Sequence, residues 1–471
     1  MKDIKKETAL VKIWDKTVGY VSKNKENRVT FQYDPSFVRS GIELSPIAVP
    51  LSNDVYKFER LNEETFKSLP GFIADALPDS FGTSVLNQWL RNQGRQTDTY
   101  SVIERLLFQG KRAMGALEFE PHWSGIKDRK ERIEMEDLVQ AAAEIMTRKS
   151  SLHTNMDKGE NALDMILKVG TSAGGARPKA IVAYNKDTHE LLSGVTSAPD
   201  GFEQYLLKLD VKIDKENNLR SGSSHYCRLE HSYYKMALAC GIEMEECLLV
   251  DSGQRSHFLT KRFDRVKKEG KEEKVHMVSL TGMGHFDFNT PRVCSYEDMF
   301  SIMRKLRLPY HDMEQAFRRM VFNVVLRNND DHPKNFSFLL DKDSQSWRFS
   351  PAYDITFAHK EGNYYIGYHQ MDICGKYDGE QITGKDLWDF GKSLGIKKAD
   401  DIINQIVEIA SRCENYMDSR IPQEVVDRVK GEIDAACKNK QVKKYIPLDF
   451  SEEENQNIVG EETVKYQRHK L

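Results

Sequence analysis

Residues 327–340 read RNNDDHPKNFSFLL, and residues 350–356 read SPAYDIT. A stretch with apolar residues at helical spacing, Met313–Arg327, runs into the Asn-Asp-Asp-His turn. Asp330 and Asn335 stand five positions apart, and a strand-like run then leads to Asp354. Phosphoryl transfer needs one carboxylate to orient the hydroxyl nucleophile and oxygen ligands to hold Mg²⁺ against the phosphates. A carboxylate, four residues, an Asn and a second carboxylate beyond a hairpin is the order of a kinase catalytic loop and metal loop. That spacing selects Asp330 rather than Asp331 as the base, with Asn335 and Asp354 as the Mg²⁺ ligands. Asp331 is left to hydrogen bonding within the loop. Lys334 is placed where a cation reaches the transferred phosphoryl group, although a solvated surface lysine would look the same. A polar turn with helix caps accounts for the NDDH tetrapeptide alone. It does not account for Asn335 and Asp354 at these spacings.

Upstream, GTSAGGARPKA (170–180) lies between two expected strands, Ile166–Val169 and Ile181–Tyr184. Glycines let backbone N–H groups converge on phosphate oxygens without a side-chain clash. The segment matches neither GxxxxGK[ST] nor GxGxxG, and most glycine-rich turns are only turns. Its candidate nucleotide contacts are Ser172, Ala173, Gly174, Gly175 and Lys179. Lys208 sits inside the apolar strand QYLLKLD, where an unpaired lysine is unusual, and Glu230 on the following helix is the expected partner. A strand lysine on the phosphates, held by a helix glutamate, is kinase logic. The alternative is an edge strand with Lys208 in solvent. In HFLTKRFDR (257–265), backbone groups of Lys261, Arg262 and Phe263 could meet an adenine edge. His332 and Tyr353 join the cofactor-side candidates.

The flanks complete an α+β layout. Short β-rich runs at Ala9–Trp14, Val18–Ser22 and Val29–Tyr33 precede helices over Ser80–Asn92 and Tyr100–Gln109 and a strand over Met114–Glu120. The charged run GIKDRKERIEMED marks a linker. Helices are expected over Glu136–Thr147 and Tyr226–Ala239, and strands over Tyr205–Leu209, Cys247–Val250 and His257–Phe263. Val275–Leu280 should pair with the last of these across KKEGKEEK. Helices follow over Tyr296–Leu306, Lys385–Leu394, Ala399–Met417 and Gln423–Cys437, with a β insert at Phe336–Leu340 and Trp347–Phe349. The expected units are 1–125, a β-rich lobe 135–265, a helical lobe 266–445 and a polar, disordered tail 446–471.

Composition narrows the function classes. The chain has 471 residues, 69 Lys and Arg against 72 Asp and Glu, and a net charge of −3. Near-cancellation argues against nucleic-acid binding by bulk attraction. RRM (318–320) and KRFDRVKK (261–268) are short basic runs diluted by acids. No apolar stretch approaches membrane-span length, and MKDIKKETALVKIW lacks an apolar signal core. The seven cysteines are scattered without a CxxC pair, against a disulfide framework or zinc site. A cytoplasmic location and no membrane partner are expected.

Taken in order, the glycine loop, strand lysine, RFDR, DDHPKN and AYDI lie behind an N-terminal segment carrying ALPDSFG (76–82) and MGALEF (114–119). This set resembles the HipA family of bacterial serine/threonine kinases, the toxin half of HipBA-type toxin–antitoxin modules, over about residues 8–440. The resemblance implies a two-lobed protein-kinase-like α+β fold with a HipA-type N-terminal subdomain, using ATP and Mg²⁺. It implies Asp330 as catalytic base, Asn335 and Asp354 on the metal, Lys208 on the ATP phosphates and Lys261–Phe263 as adenine hinge. Ser172 falls where family members autophosphorylate and eject the loop, as a doubly charged phosphate beside ATP would favour. Pro178 and the doubled Asp330-Asp331 depart from the usual family pattern. A protein substrate is implied, of the class of aminoacyl-tRNA synthetases or other translation factors, with growth arrest as the outcome. A small helix-turn-helix antitoxin is also implied, with DNA reached only through it. Two other classes compete: a pseudokinase that binds without turnover, and a metal-dependent phosphohydrolase using Asp330, Asp331, His332 and Asp354.

Overall fold

The computed structural model describes residues 7–24, 28–92, 94–96, 100–122, 132–147, 177–193, 197–213 and 219–442. The first segment alternates buried and exposed residues and builds an antiparallel sheet of β1 (Thr8–Ile13), β2 (Lys16–Lys23), β3 (Val29–Tyr33), β4 (Tyr56–Lys57) and β5 (Glu118–Glu120), ordered β4-β3-β2-β1-β5. The helix Val102–Gln109 beside it starts at a capping box in which Ser101 and Glu104 satisfy each other's backbone N–H.

A second antiparallel sheet is ordered β7-β6-β8-β10-β9, from β6 (Lys179–Tyr184), β7 (Leu191–Ser193), β8 (Glu203–Lys208), β9 (Cys247–Ser252) and β10 (Arg255–Lys261). Every residue of β6 is buried, as a covered central strand requires. The helix Tyr226–Ala239 lies against β9 and β10 and carries Glu230 on its buried face.

The segment KKEGKEEK does not join β10 to a neighbour as the sequence suggested. It forms its own hairpin, β11 (Arg265–Lys268) with β12 (Lys271–Lys274). The next strand, β13 (His276–Ser279), pairs instead with β14 (Ser337–Leu340), which pairs with β15 (Trp347–Phe349). At the end of β13 the short helix Leu280–Gly284 begins, capped by Ser279, and the Leu280 N–H donates to the Phe336 carbonyl at 2.7 Å, just before β14. The remaining mass is helical: Tyr296–Lys305, Tyr310–Val325, Gly384–Leu394, Ala399–Ser411 and Gln423–Cys437. The expected single helix over Ala399–Met417 breaks after Ser411 into a short 3₁₀ turn, Cys413–Tyr416.

Two main apolar cores result. One is continuous from the first sheet (Val11, Phe31, Phe72, Phe119) into the C-terminal helices (Met299, Phe317, Ile403). The other joins the second sheet (Val182, Tyr205, Leu207) to the helices Ser80–Asn92 and Met135–Thr147. The helix Ser80–Asn92, which the sequence places with the first unit, thus shares its core with the middle sheet. All seven cysteines are free thiols. Among the described residues no helix is long and apolar enough to cross a membrane.

Candidate active site

Three elements converge on Lys208. It ends β8, its side chain is only 11% exposed, and its ammonium ion-pairs with both Glu230 and Asp354. Burial works against the charge, but Asp354 and then Glu230 outweigh it and hold Lys208 above its ordinary range. Burial also raises Glu230, with Lys208 opposing, whereas Lys208 and then Lys179 overcome burial at Asp354 and lower it. The buried cation is therefore shared between the two carboxylates. Asp354 has a positive φ of 52°, a conformation uncommon outside glycine, and its carboxylate meets Lys208 of β8.

The catalytic-loop sequence wraps around this cluster. Asp330 has a side chain 49% exposed, facing open space with His332 Nε2 at 3.8 Å. Asn335 Nδ2 donates to the Asp330 carbonyl at 2.8 Å, leaving its amide oxygen uncommitted to that bond. Asp331 has the opposite character. Its buried carboxylate accepts from Tyr296 Oη at 2.8 Å, His369 Nδ1 at 3.0 Å and the Gln370 N–H at 2.7 Å. It anchors the loop to the segment after Asp354. Those contacts use both of its oxygens and remove it from the carboxylate set a phosphohydrolase would need. Lys334 Nζ lies over the Phe288 ring, 4.8 Å from the centroid, and His332 packs on the same ring at 5.5 Å. Tyr353 Oη bridges Ser337 Oγ at 2.6 Å and the Lys334 carbonyl at 2.9 Å, and its ring lies 5.8 Å from Phe263.

Asn335 and Asp354 line one small cavity with Tyr353. Two hard-oxygen donors with phosphate oxygens as co-ligands fit Mg²⁺, which keeps few protein ligands. Asn335 and Asp354 would hold the ion, which would supply positive charge to offset that of the phosphates.

The segment Lys261–Phe263 departs from the expected adenine hinge in part. The Lys261 N–H donates to Glu246 O and the Arg262 N–H to Gln204 O, both at 2.9 Å. The Arg262 side chain is buried on Asp264, with Nη2 2.7 Å from Oδ2, and Lys261 Nζ turns to Glu203 at 2.5 Å. The Lys261 and Arg262 N–H groups are therefore committed within the protein. Ser172, Ala173, Gly174 and Gly175 lie outside the described residues, as does the expected strand Ile166–Val169. Pro178 and Lys179 are described: the Pro178 carbonyl accepts from the Leu209 N–H at 2.9 Å, and Lys179 opens β6.

Sequence reasoning gave the N-terminal motifs no task beyond a helix start at Asp79-Ser80, which the Gly82 N–H to Asp79 bond bears out, and the structure adds another. Asp75, just before ALPDSFG, accepts from the Ser279 N–H and hydroxyl, each at 2.8 Å, and within the motif Asp79 ion-pairs with Lys179 at 3.1 Å. In MGALEF, the Gly115 N–H donates to Asp264 Oδ2 at 2.7 Å, and Arg265 Nη1 donates to the Gly115 carbonyl at 3.0 Å. Burial opposes ionisation of Asp264, but Arg262 and Arg265 overcome it and hold the carboxyl well below its usual range. The readable signal was the pair of short motifs, each combining glycine or proline with an acid beside apolar residues.

A family model described as "HipA-like C-terminal domain" matches residues 171–414, and one described as "HipA N-terminal domain" matches residues 9–120. A Haemophilus influenzae protein carrying a kinase name is 26% identical over 235 residues, covering 42% of this chain and 66% of that protein. A Shewanella oneidensis protein named serine/threonine-protein kinase toxin HipA is 22% identical over 401 residues, covering 81% of each chain. A solved structure of the Shewanella oneidensis HipA, in a complex with HipB and operator DNA, superposes with a TM-score of 0.63 at 19% identity. It covers 91% of this chain and 96% of that one, and shares the fold. Since the C-terminal model alone spans more than half of the residues, the chain belongs to the HipA family of kinases.

Proposed function

We propose that this chain is an ATP- and Mg²⁺-dependent serine/threonine protein kinase, acting as the toxin of a toxin–antitoxin module. The observation that carries the reading is the Lys208 ammonium shared between Glu230 and Asp354, beside the exposed Asp330 and the Asn335 amide. In this reading Asp330 orients the acceptor hydroxyl, and Asn335 and Asp354 hold the metal. Lys208 positions the phosphates, and Lys334 offsets charge on the transferred group. The acceptor is a cytoplasmic protein, and the family resemblance favours a translation factor such as an aminoacyl-tRNA synthetase. The partner is a small helix-turn-helix antitoxin, with DNA met through it. Ser172 is the candidate autophosphorylation site, checked by mass spectrometry of the purified chain.

The test is radiolabel transfer from γ-labelled ATP to protein. Asp330→Asn should cut incorporation by about 10²–10⁴-fold while the circular dichroism spectrum stays unchanged. Full transfer by a folded Asp330→Asn protein defeats the assignment. Transfer absent from the wild-type chain while ATP still binds would identify a pseudokinase.

A further inference from the structure

Lys179 and Lys208 are direct partners in the antiparallel ladder of β6 and β8, so their side chains leave the same face of the sheet. Lys208 has Glu230 and Asp354 as counterions. Lys179 has Asp79, at 3.1 Å, with both side chains almost fully buried (2% and 4% exposed). Asp79 does not come from either kinase lobe. It belongs to ALPDSFG, a hundred residues upstream, where its other oxygen accepts the Gly82 N–H at 2.6 Å and opens the helix Ser80–Asn92. Lys179 also contributes to lowering Asp354, and Lys334 of the catalytic loop acts on Asp79. Asp79 thus ties the lysine at the exit of the glycine-rich segment to the start of the helix Ser80–Asn92.

Resting on the kinase reading above, we propose that Asp79 is a positioning residue for the phosphate site. It holds the buried Lys179 ammonium on the same sheet face as Lys208, beside the place where the polyphosphate of ATP would bind. A lysine has a long, flexible stem, and a fixed carboxylate removes most of its rotamer freedom before the ligand arrives. Two ammonium groups a strand apart also repel, and separate carboxylates let both point the same way. Glu230 gives Lys208 the same support from a helix inside the kinase lobes. The N-terminal unit then completes the nucleotide site rather than merely decorating it. Burial pushes Asp79 up to about 6 despite Lys179, so its hold should weaken under mild acid.

The experiment is calorimetric titration of the full chain with ATP–Mg²⁺ and, separately, with adenosine. Asp79→Asn is the main variant, because Asn keeps the acceptor for the Gly82 N–H and so preserves the helix start. The expected result is ATP binding weakened about tenfold in Asp79→Asn and in Lys179→Met, with the double variant no weaker than Lys179→Met. Adenosine affinity should not change. Unchanged or tighter ATP binding in Asp79→Asn, or an equal loss for adenosine, overturns the proposal and leaves the kinase reading intact. A wild-type chain that binds neither ligand overturns the kinase reading and this proposal together.

Discussion

At the scale of single residues, adjacent aspartates have opposite chemistry. Asp330 faces solvent, and Asp331 is buried with three hydrogen-bond donors. Asp331→Asn leaves a buried acceptor set mismatched to its donors and should cost about 1–3 kcal/mol, read as a lower urea midpoint. Lys208→Met is harsher, because it strands Glu230 and Asp354 in a buried site. Loss of a buried ion-pair partner costs about 3–5 kcal/mol, and the same variant should lose phosphate transfer. Glu230→Gln keeps the shape and should lower transfer with a smaller change in stability. The spacing of Asp330, Asn335 and Asp354 and the Lys208–Glu230 partnership were readable in the sequence, because loop and strand registers fix them locally. Asp79 and Asp264 were not. Lys179 lies a hundred residues from Asp79 and Gly115 about a hundred and fifty from Asp264, and no local pattern announces a contact at that range.

At the scale of elements, most helices and strands follow from periodicity and caps, and the failure at β13 has one cause. Hairpin reasoning assumes that a strand pairs with its sequence neighbour across a polar turn. Here β13 is claimed by β14, since Ser279 and Leu280 must reach the loop around Phe336. The segment Gly71–Ala74 shows how closely elements approach. A Cβ at Gly71 would run into the Gly282 carbonyl and the His285 ring. Gly71→Ala should therefore cost about 1–3 kcal/mol by overpacking. Thermal unfolding of Gly71→Ala against Gly94→Ala, where no neighbour is within 4 Å of a Cβ but the φ is positive, separates contact from backbone strain.

At the scale of the molecule, two buried histidines and the partly buried His285 set an acid limit. Burial lowers His257, His276 and His285 to about 4 from an ordinary 6.5. Each is neutral in the fold: the His285 Nε2 accepts the Gly71 N–H at 3.0 Å, and His276 Nε2 meets the Leu44 carbonyl at 3.0 Å. As pH falls below about 6.5, the unfolded chain takes up protons that the native chain refuses, so stability drops until about pH 4. The melting temperature should fall between pH 7 and 5, and His285→Gln should flatten that slope. Hydrogen exchange should rise first around residues 40–49 and 69–76, where two of the three histidines fasten the N-terminal unit.

The core shared by the first sheet and the C-terminal helices has a consequence for synthesis. Phe72 packs in the same apolar mass as Leu280 and Phe317, and the chain between them must be made first. At ribosomal rates of roughly 5–20 residues per second, the early strands wait on the order of ten seconds or more for their partners. During that interval apolar strand faces stand open to chaperones. The buried seat of Asp331 also needs His369 and Gln370, which emerge later still. A nascent chain of this protein cannot seat Asp331 until Gln370 has been made, so the turn it anchors is among the later parts of the fold to settle.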